Sequence, residues 1–415
     1  MFNLTKQKFN NFPVSNKNMI YLMWIYNFGN LISTLFISIY VFKLETNVSH
    51  VIIYNIIFFV TVFLGFVGIG YLFSILQKNI KNMYYISYII FITSFMIMFF
   101  LKGTIIGSYI FGASYGLGFG IFWCAVHANE LNNIKDKDRD FYSSLISAGG
   151  NILQIITPIL VSIIFLIAAY LNYNGYYILF IVIPIVYFIS FLFIKHTGNY
   201  IPSVTKIDDV KNFFNIKKYV WGHLYIFLTG VSHALKVIAI PIIAILLLKN
   251  EINIGIFESI MGIVSFFIII FFSHIRNLGN RLKIFGITGI LMMLTYIFLA
   301  FYFNFLGYII FSLLLIIIHP IFRVSEHVYD LKIMDSIKIK KSDFFPSMLL
   351  REVIINLARV LTLLISLYIT NIYGNNLEFF LKLLLIISGF SYLLTWFTIK
   401  MHIKYENHEN LENLN

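Results

Sequence analysis

Twelve long apolar runs divide the chain, at residues 19–42, 50–73, 83–101, 104–126, 143–170, 175–195, 221–248, 254–273, 284–303, 305–322, 346–372 and 377–399. A helix needs roughly 20 apolar residues to cross the hydrocarbon core of a bilayer, and these runs have that length. None of them alternates apolar with polar side chains, which excludes an outer-membrane barrel. The pattern predicts an all-α membrane protein of 12 transmembrane helices. Short breaks such as Leu101-Lys102-Gly103 and Phe303-Asn304-Phe305 predict tight turns, and longer polar segments stand at 127–142, 196–220 and 323–345. The first run follows Lys6, Lys8 and Lys17. It is too long for the core of a signal peptide, and no A-x-A site follows, so an uncleaved first helix is expected.

Composition agrees with this. Of 415 residues, 60% are hydrophobic and 12% charged, against about 25% charged in an average soluble domain. A soluble enzyme on one membrane anchor, a disordered chain and a collagen-like chain are excluded. Cys124 is the single cysteine, so there is neither a disulfide framework nor a Cys-rich metal site.

The net charge of +12 would suggest nucleic acid in a soluble protein. Here its distribution gives another meaning. With twelve helices, the even-numbered breaks and both termini share one side, and 24 of the 30 Lys and Arg fall there. The other side holds Lys43, Lys102, Lys249 and Lys382, and two more, Lys236 and Arg359, lie inside helices. Cytoplasmic loops collect Lys and Arg, so both termini are expected in the cytoplasm (N-in/C-in) and no nucleic acid partner is expected.

The polar stretch from Lys195 to Lys218 divides the helices six and six. A short repeat crosses that divide. Asp140-Phe141-Tyr142-Ser143-Ser144-Leu145 leads into the fifth helix, and Asp343-Phe344-Phe345-Pro346-Ser347-Met348 into the eleventh. These are equivalent positions in two parallel six-helix repeats. The expected units are a bundle over 1–195, a cytoplasmic linker over 196–220, a second bundle over 221–400 and a cytoplasmic tail over 401–415. The tail from Lys404 onward is short and polar, and disorder is expected there.

Over nearly its full length the chain resembles the major facilitator superfamily (MFS) in architecture. The family's loop signature after the second helix is a Gly, an Asp-Arg pair, then Gly and basic residues. Here the region reads Gly70-Tyr71-Leu72-Phe73-Ser74-Ile75-Leu76-Gln77-Lys78, without the Asp. The loop after helix eight, Arg276-Asn277-Leu278-Gly279-Asn280-Arg281, keeps the Gly and basic residues and also lacks the acid. Thr157-Pro158 in helix five stands without the flanking glycines of the family's antiporters. Helix eleven, Leu350-Arg351-Glu352-Val353-Ile354-Ile355-Asn356-Leu357-Ala358-Arg359, is similar to a bacterial subgroup of uncharacterised or drug-efflux-like permeases. The resemblance implies alternating access, a cavity lined by helices one, four, seven and ten, and the plasma (inner) membrane of a bacterium. A monomer is expected.

Charges in the middle of apolar helices are costly and usually face a cavity or a partner. Lys236 lies near the centre of helix seven, with His233 one turn earlier on the same face. Glu352, Asn356 and Arg359 form one stripe on helix eleven. In that stripe Arg359 meets an anion and Glu352 carries a proton, or the three only hold the bundle together; the sequence weighs these evenly. Arg351, nearer the helix end, reads as a solvated or headgroup-level charge. Glu258 reads as a proton port or as an interfacial carboxylate one turn into helix eight. His319, before Pro320 in helix ten, and Asn27 in helix one are further cavity candidates. Asn30, Asn55, Asn151 and Gln154 offer amides. Gly112, Gly116 and Gly120 form a small-residue packing seam in helix four.

His127 with Glu130, and Glu326 with His327, have the wrong spacing for H-E-x-x-H and read as loop residues, so no metal is expected. No P-loop, Rossmann fingerprint or nucleophile elbow is present, so neither an enzyme nor a cofactor is expected. The function the sequence favours is secondary, proton-coupled transport of a small anionic or zwitterionic organic solute. Neutral solutes stacking on the aromatic-rich helices, drug efflux, and a non-transporting receptor or scaffold are the alternatives.

Overall fold

Backbone N–H and C=O groups have no water to bond inside a bilayer, so an apolar run must satisfy them within itself, as a helix. The structure is a computed structural model and describes residues 9–134, 136–204, 206–214, 216–273, 281–336, 345–373 and 376–412. Among these there are 12 helices long and apolar enough to cross a membrane and no strand. Spans 1 to 6 are Val14–Glu45, Val48–Ile75, Lys81–Phe100, Ile105–Glu130, Phe141–Tyr170 and Gly175–Ile194. Spans 7 to 12 are Tyr219–Leu248, Glu251–Ile268, Leu282–Phe301, Phe305–Arg323, Phe345–Tyr373 and Leu377–Tyr405. An even number of crossings puts the first and last spans' outer ends on one side, called here the terminal face; the other is the far face.

Helices overrun several polar breaks. The helix of span 4 continues to Asn133 and the next begins at Asp136. The helix of span 10 runs through Pro320 to Ser336. The helix of span 12 runs to Glu412, which corrects the disordered tail. No Gly or Pro after Gly389 interrupts it. Between spans 6 and 7 lies a short helix, Ile207–Phe213, whose Phe213 ring meets His223 at 5.2 Å. The loop motif at 276–280 and the Asp343-Phe344 part of the repeat lie outside the described residues, as does the His327 side chain.

In the first six spans, span 4 packs on spans 2 and 3, and span 6 on span 3; in the last six, span 12 packs on spans 7 and 9, and span 11 on span 7. The two sets meet where span 5 lies along span 8 and span 2 along span 11. The glycine seam of span 4 is a packing device. A Cβ at Gly116 would lie 2.5 Å from the Phe58 carbonyl oxygen, and one at Gly112 would lie 2.9 Å from the Tyr54 ring. The spans 2 and 4 therefore touch backbone to backbone, which larger side chains forbid.

Aromatic rings fill the first bundle. Tyr26 stacks on Phe122 at 4.2 Å, Tyr88 donates to the Leu22 carbonyl at 2.7 Å, and Trp123 Nε1 donates to the Tyr26 hydroxyl at 2.9 Å. Aromatic side chains with a polar tip are buried stably only when that tip finds a partner. These rings are core, so they offer no stacking wall to a neutral solute.

Candidate functional site

Spans 1, 5, 7, 8 and 10 line an open cavity of about 510 Å³, a size suited to a small organic molecule. Most of the wall is apolar, from Leu31, Leu35, Phe36, Val237, Ile240, Met261 and Ile316. Helical spacing on span 7 brings His233, Lys236 and Ile240 to this wall, and on span 8 it brings Glu258, Met261 and Ser265. Span 1 enters through a π-helical turn, Ser33–Ile37, which holds Thr34, Leu35 and Phe36 against the cavity. Such turns often mark functional positions.

The polar groups in the wall lack protein partners. Lys236 Nζ lies 5.4 Å from the Tyr392 ring centre, and no carboxylate of the described residues is within salt-bridge reach of it. Glu258 likewise has neither an ion pair nor a hydrogen bond among them. His233 Nδ1 and Thr157 Oγ1 are buried without a hydrogen-bond partner. The ring of His233 meets Phe59 of span 2 at 5.6 Å. Buried polar groups are nearly always paired in folded proteins, so the open His233 and Thr157 atoms suit a ligand, beside a half-buried Lys236 and Glu258. Arg359 and Lys236 lie near His233, and Lys236 and Arg323 near His319.

Glu258 is placed differently from the interfacial reading. Helix eight starts at Glu251, where the Asn250 side chain accepts from the Asn253 amide at 2.8 Å. Asn250 is a favoured cap residue. The earlier start carries Glu258 two turns into the helix and onto the cavity wall.

The stripe on span 11 closes on itself. Arg359 Nη1 donates to Glu352 Oε1 at 3.1 Å and to Asn356 Oδ1 at 3.1 Å. Asn356 Nδ2 donates to the same Glu352 oxygen at 2.9 Å. The guanidinium lies over the Phe59 ring at 5.1 Å, and its Nε has no partner. Arg359 and Glu352 are not among the residues lining the cavity; Phe59 meets both Arg359 and His233. Arg351 is not a solvated charge. Its Nη2 donates to Asp330 at 2.9 Å and 3.1 Å, because the long helix of span 10 carries Asp330 past span 11.

His319 and Asn27 also lie off this cavity. Asn27 Nδ2 faces Gly150 of span 5, and His319 sits on span 10 beside Lys236. The wall residues Thr157, Ser265 and Thr34 carry no charge that singles them out in the sequence.

A second polar cluster closes the far face. Lys43, at the end of span 1, reaches both Glu251 carboxylate oxygens at 2.8 Å and 3.0 Å. The Tyr176 hydroxyl of span 6 donates to Glu251 Oε1 at 2.7 Å. Glu251 is 7% exposed and Lys43 44%. Nearby, the Ser162 hydroxyl of span 5 donates to the Ile252 carbonyl of span 8 at 2.9 Å. Thus spans 1, 5 and 6 are tied to the start of span 8. The cluster lines a vestibule of about 550 Å³. In the sequence the cluster left a faint signal, since Lys43 is one of few basic residues on that side.

Comparison with known proteins places this architecture. No family model matches the chain. It is 22% identical to an uncharacterized protein of Bacillus subtilis (strain 168), YqgE, over 397 residues, covering 93% of this chain and 90% of that one. Among solved structures it is similar to the POT family transporter PepTSo, with a TM-score of 0.69 at 11% identity, over 95% of this chain and 99% of that one. It is also similar to the nucleoside transporter NupG, with a TM-score of 0.65 at 12% identity, over 94% and 99%. The chain is a multi-pass integral membrane protein with the twelve-helix fold of major-facilitator-type transporters.

Proposed function

We propose that the protein is a secondary transporter, working by alternating access on a small anionic or zwitterionic organic solute, with protons as the coupling ion. The observation that carries this reading is the open cavity with Lys236 and His233 facing it unpaired. A charge there costs free energy that a bound anion offsets. The structural neighbours are named as a POT family transporter and a nucleoside transporter, which supports transport as the activity. The asymmetry of Lys and Arg supports cytoplasmic termini. Residues 1–195 and 221–400 then rock against each other, joined by 196–220.

Glu352 is the proton carrier in this reading. Protonating it frees Arg359 and so links a proton to the packing of span 11 on spans 2 and 7. Proteoliposomes holding the protein should accumulate labelled amino acids or organic acids under an inward proton gradient, and a protonophore should abolish this. Glu352→Gln should lose accumulation and keep solute exchange. Uptake equal to that of protein-free vesicles for the whole panel contradicts transport; accumulation that survives the protonophore contradicts coupling.

Efflux of lipophilic cations is the second reading. Glu258 in an otherwise apolar wall is the observation that favours it, and stabilisation of the protein by cations alone would move it to first place.

A further inference from the structure

The cavity wall holds two unpaired ionisable side chains, one basic and one acidic. Lys236 comes from span 7 and Glu258 from span 8, and no ion pair joins them to each other or to any described residue. They lie beyond salt-bridge reach of each other, so each is left to a partner of its own from a ligand. The two spans are joined by the turn at 249–250 on the far face. Counted from their ends at that turn, Lys236 lies roughly five residues deeper than Glu258, a rise of about 7 Å along the helices. Glu258 is the pole nearer the far face and Lys236 the pole nearer mid-membrane.

We propose that this cavity binds a zwitterion in a fixed direction, with its ammonium on Glu258 and its carboxylate on Lys236. The proposal rests on the transporter reading and narrows its substrate to solutes that carry both charges at once. A plain anion leaves Glu258 unpaired and adds a second negative charge to the cavity. A plain cation does the same to Lys236. Only a molecule with both poles satisfies both side chains, and discrimination against one-charge analogues follows from the group left bare. Thr157 and His233 offer further polar atoms to the solute, and Leu31, Leu35, Val237 and Ile316 offer an apolar bed for its side chain. In this assignment Glu258 is a ligand for the solute, and the proton is left to Glu352.

The test is a matched series read by thermal unfolding of the full-length protein: leucine and leucyl-leucine, 4-methylpentanoate (leucine without its amine) and leucinamide (leucine without its acid). The expected result is that one of the zwitterions raises the unfolding temperature and the one-charge analogues do so at least about tenfold more weakly in concentration. Glu258→Gln should reverse the preference, so that 4-methylpentanoate stabilises as well as leucine or better. Lys236→Gln should remove the response to both. Glu258→Met, measured against its own baseline, serves where the amide variant binds a solute by hydrogen bonding. Equal stabilisation by leucine and 4-methylpentanoate in the parent overturns the proposal, as does a preference unchanged in both Glu258 variants. A panel without any response overturns it too. In each of these cases, labelling of the cavity from both membrane faces would leave the transporter reading intact.

Discussion

Lys236→Gln should unfold at a higher temperature than the parent and should bind an anionic or zwitterionic solute on the order of 30-fold more weakly or worse. The two effects have one cause. Without a bound solute Lys236 stands among Val237, Ile240 and Ile316, and among the described residues its Nζ meets the Tyr392 ring and no carboxylate. A cation–π contact in a desolvated place is worth about 2 kcal/mol, less than the several kcal/mol that removing an ion from water costs. Replacing it with an amide of similar length removes that deficit, and roughly 1 kcal/mol of added stability is expected after allowance for water in the cavity. Binding shows the reverse, since truncating one partner of a buried charge pair costs about 2–5 kcal/mol. A structural lysine behaves differently: its loss lowers stability and leaves binding alone. Unfolding temperature and ligand response, measured on the same samples, separate the two. Lys236→Arg should recover part of the binding, because it restores the charge with another shape.

Glu251→Met, which removes the acceptor as well as the charge, should open the far face. Glu251 holds two partners, Lys43 and Tyr176, and these belong to spans 1 and 6 while Glu251 belongs to span 8. The Lys43 side chain is largely solvated, so its pairing is discounted toward the exposed value, while the buried hydrogen bond from Tyr176 counts nearly in full. Together they amount to about 1–2 kcal/mol. If the two halves exchange between far-open and far-closed states, that changes their ratio about tenfold. A cysteine reporter on the cavity wall should then react about tenfold faster with an impermeant maleimide added from the far face. Lys43→Met should give a smaller change in the same direction, because it leaves the Tyr176 bond in place. An unchanged rate in both variants means that the cluster only braces one end of the bundle.

The twelve spans were legible because a membrane helix is written in one dimension. Length and polarity suffice, and no partner needs to be known. The central charges were legible for the same reason: Lys236 on span 7 is unmistakable in an apolar run. What the sequence left open is where such a charge points. Glu352, Asn356 and Arg359 share a helical face, yet a shared face is as compatible with a ligand site as with the closed network that the structure shows. Glu258 was misplaced because one turn of helix depends on the cap at Asn250, and caps are local details at an uncertain boundary. The Lys43–Glu251–Tyr176 cluster joins residues from three distant parts of the chain. Only tertiary packing brings them together, and no spacing rule describes that. The helical continuation to Glu412 shows the opposite weakness, since polarity alone was read as disorder in a segment free of Gly and Pro.

The central claim is that the cavity is exposed to one side of the membrane and then the other. Ser265 lines it from span 8, and Cys124 is the only native cysteine and is buried. Ser265→Cys in a Cys124→Ser background should therefore report on the cavity alone. The measurement is the rate of its reaction with a membrane-impermeant maleimide, in sealed vesicles of each orientation. Alternating access requires labelling from both faces, with the two rates shifting in opposite directions when Glu251→Met is added. Labelling from one face only, unaltered by that substitution, would describe a fixed receptor with a pocket and would contradict transport.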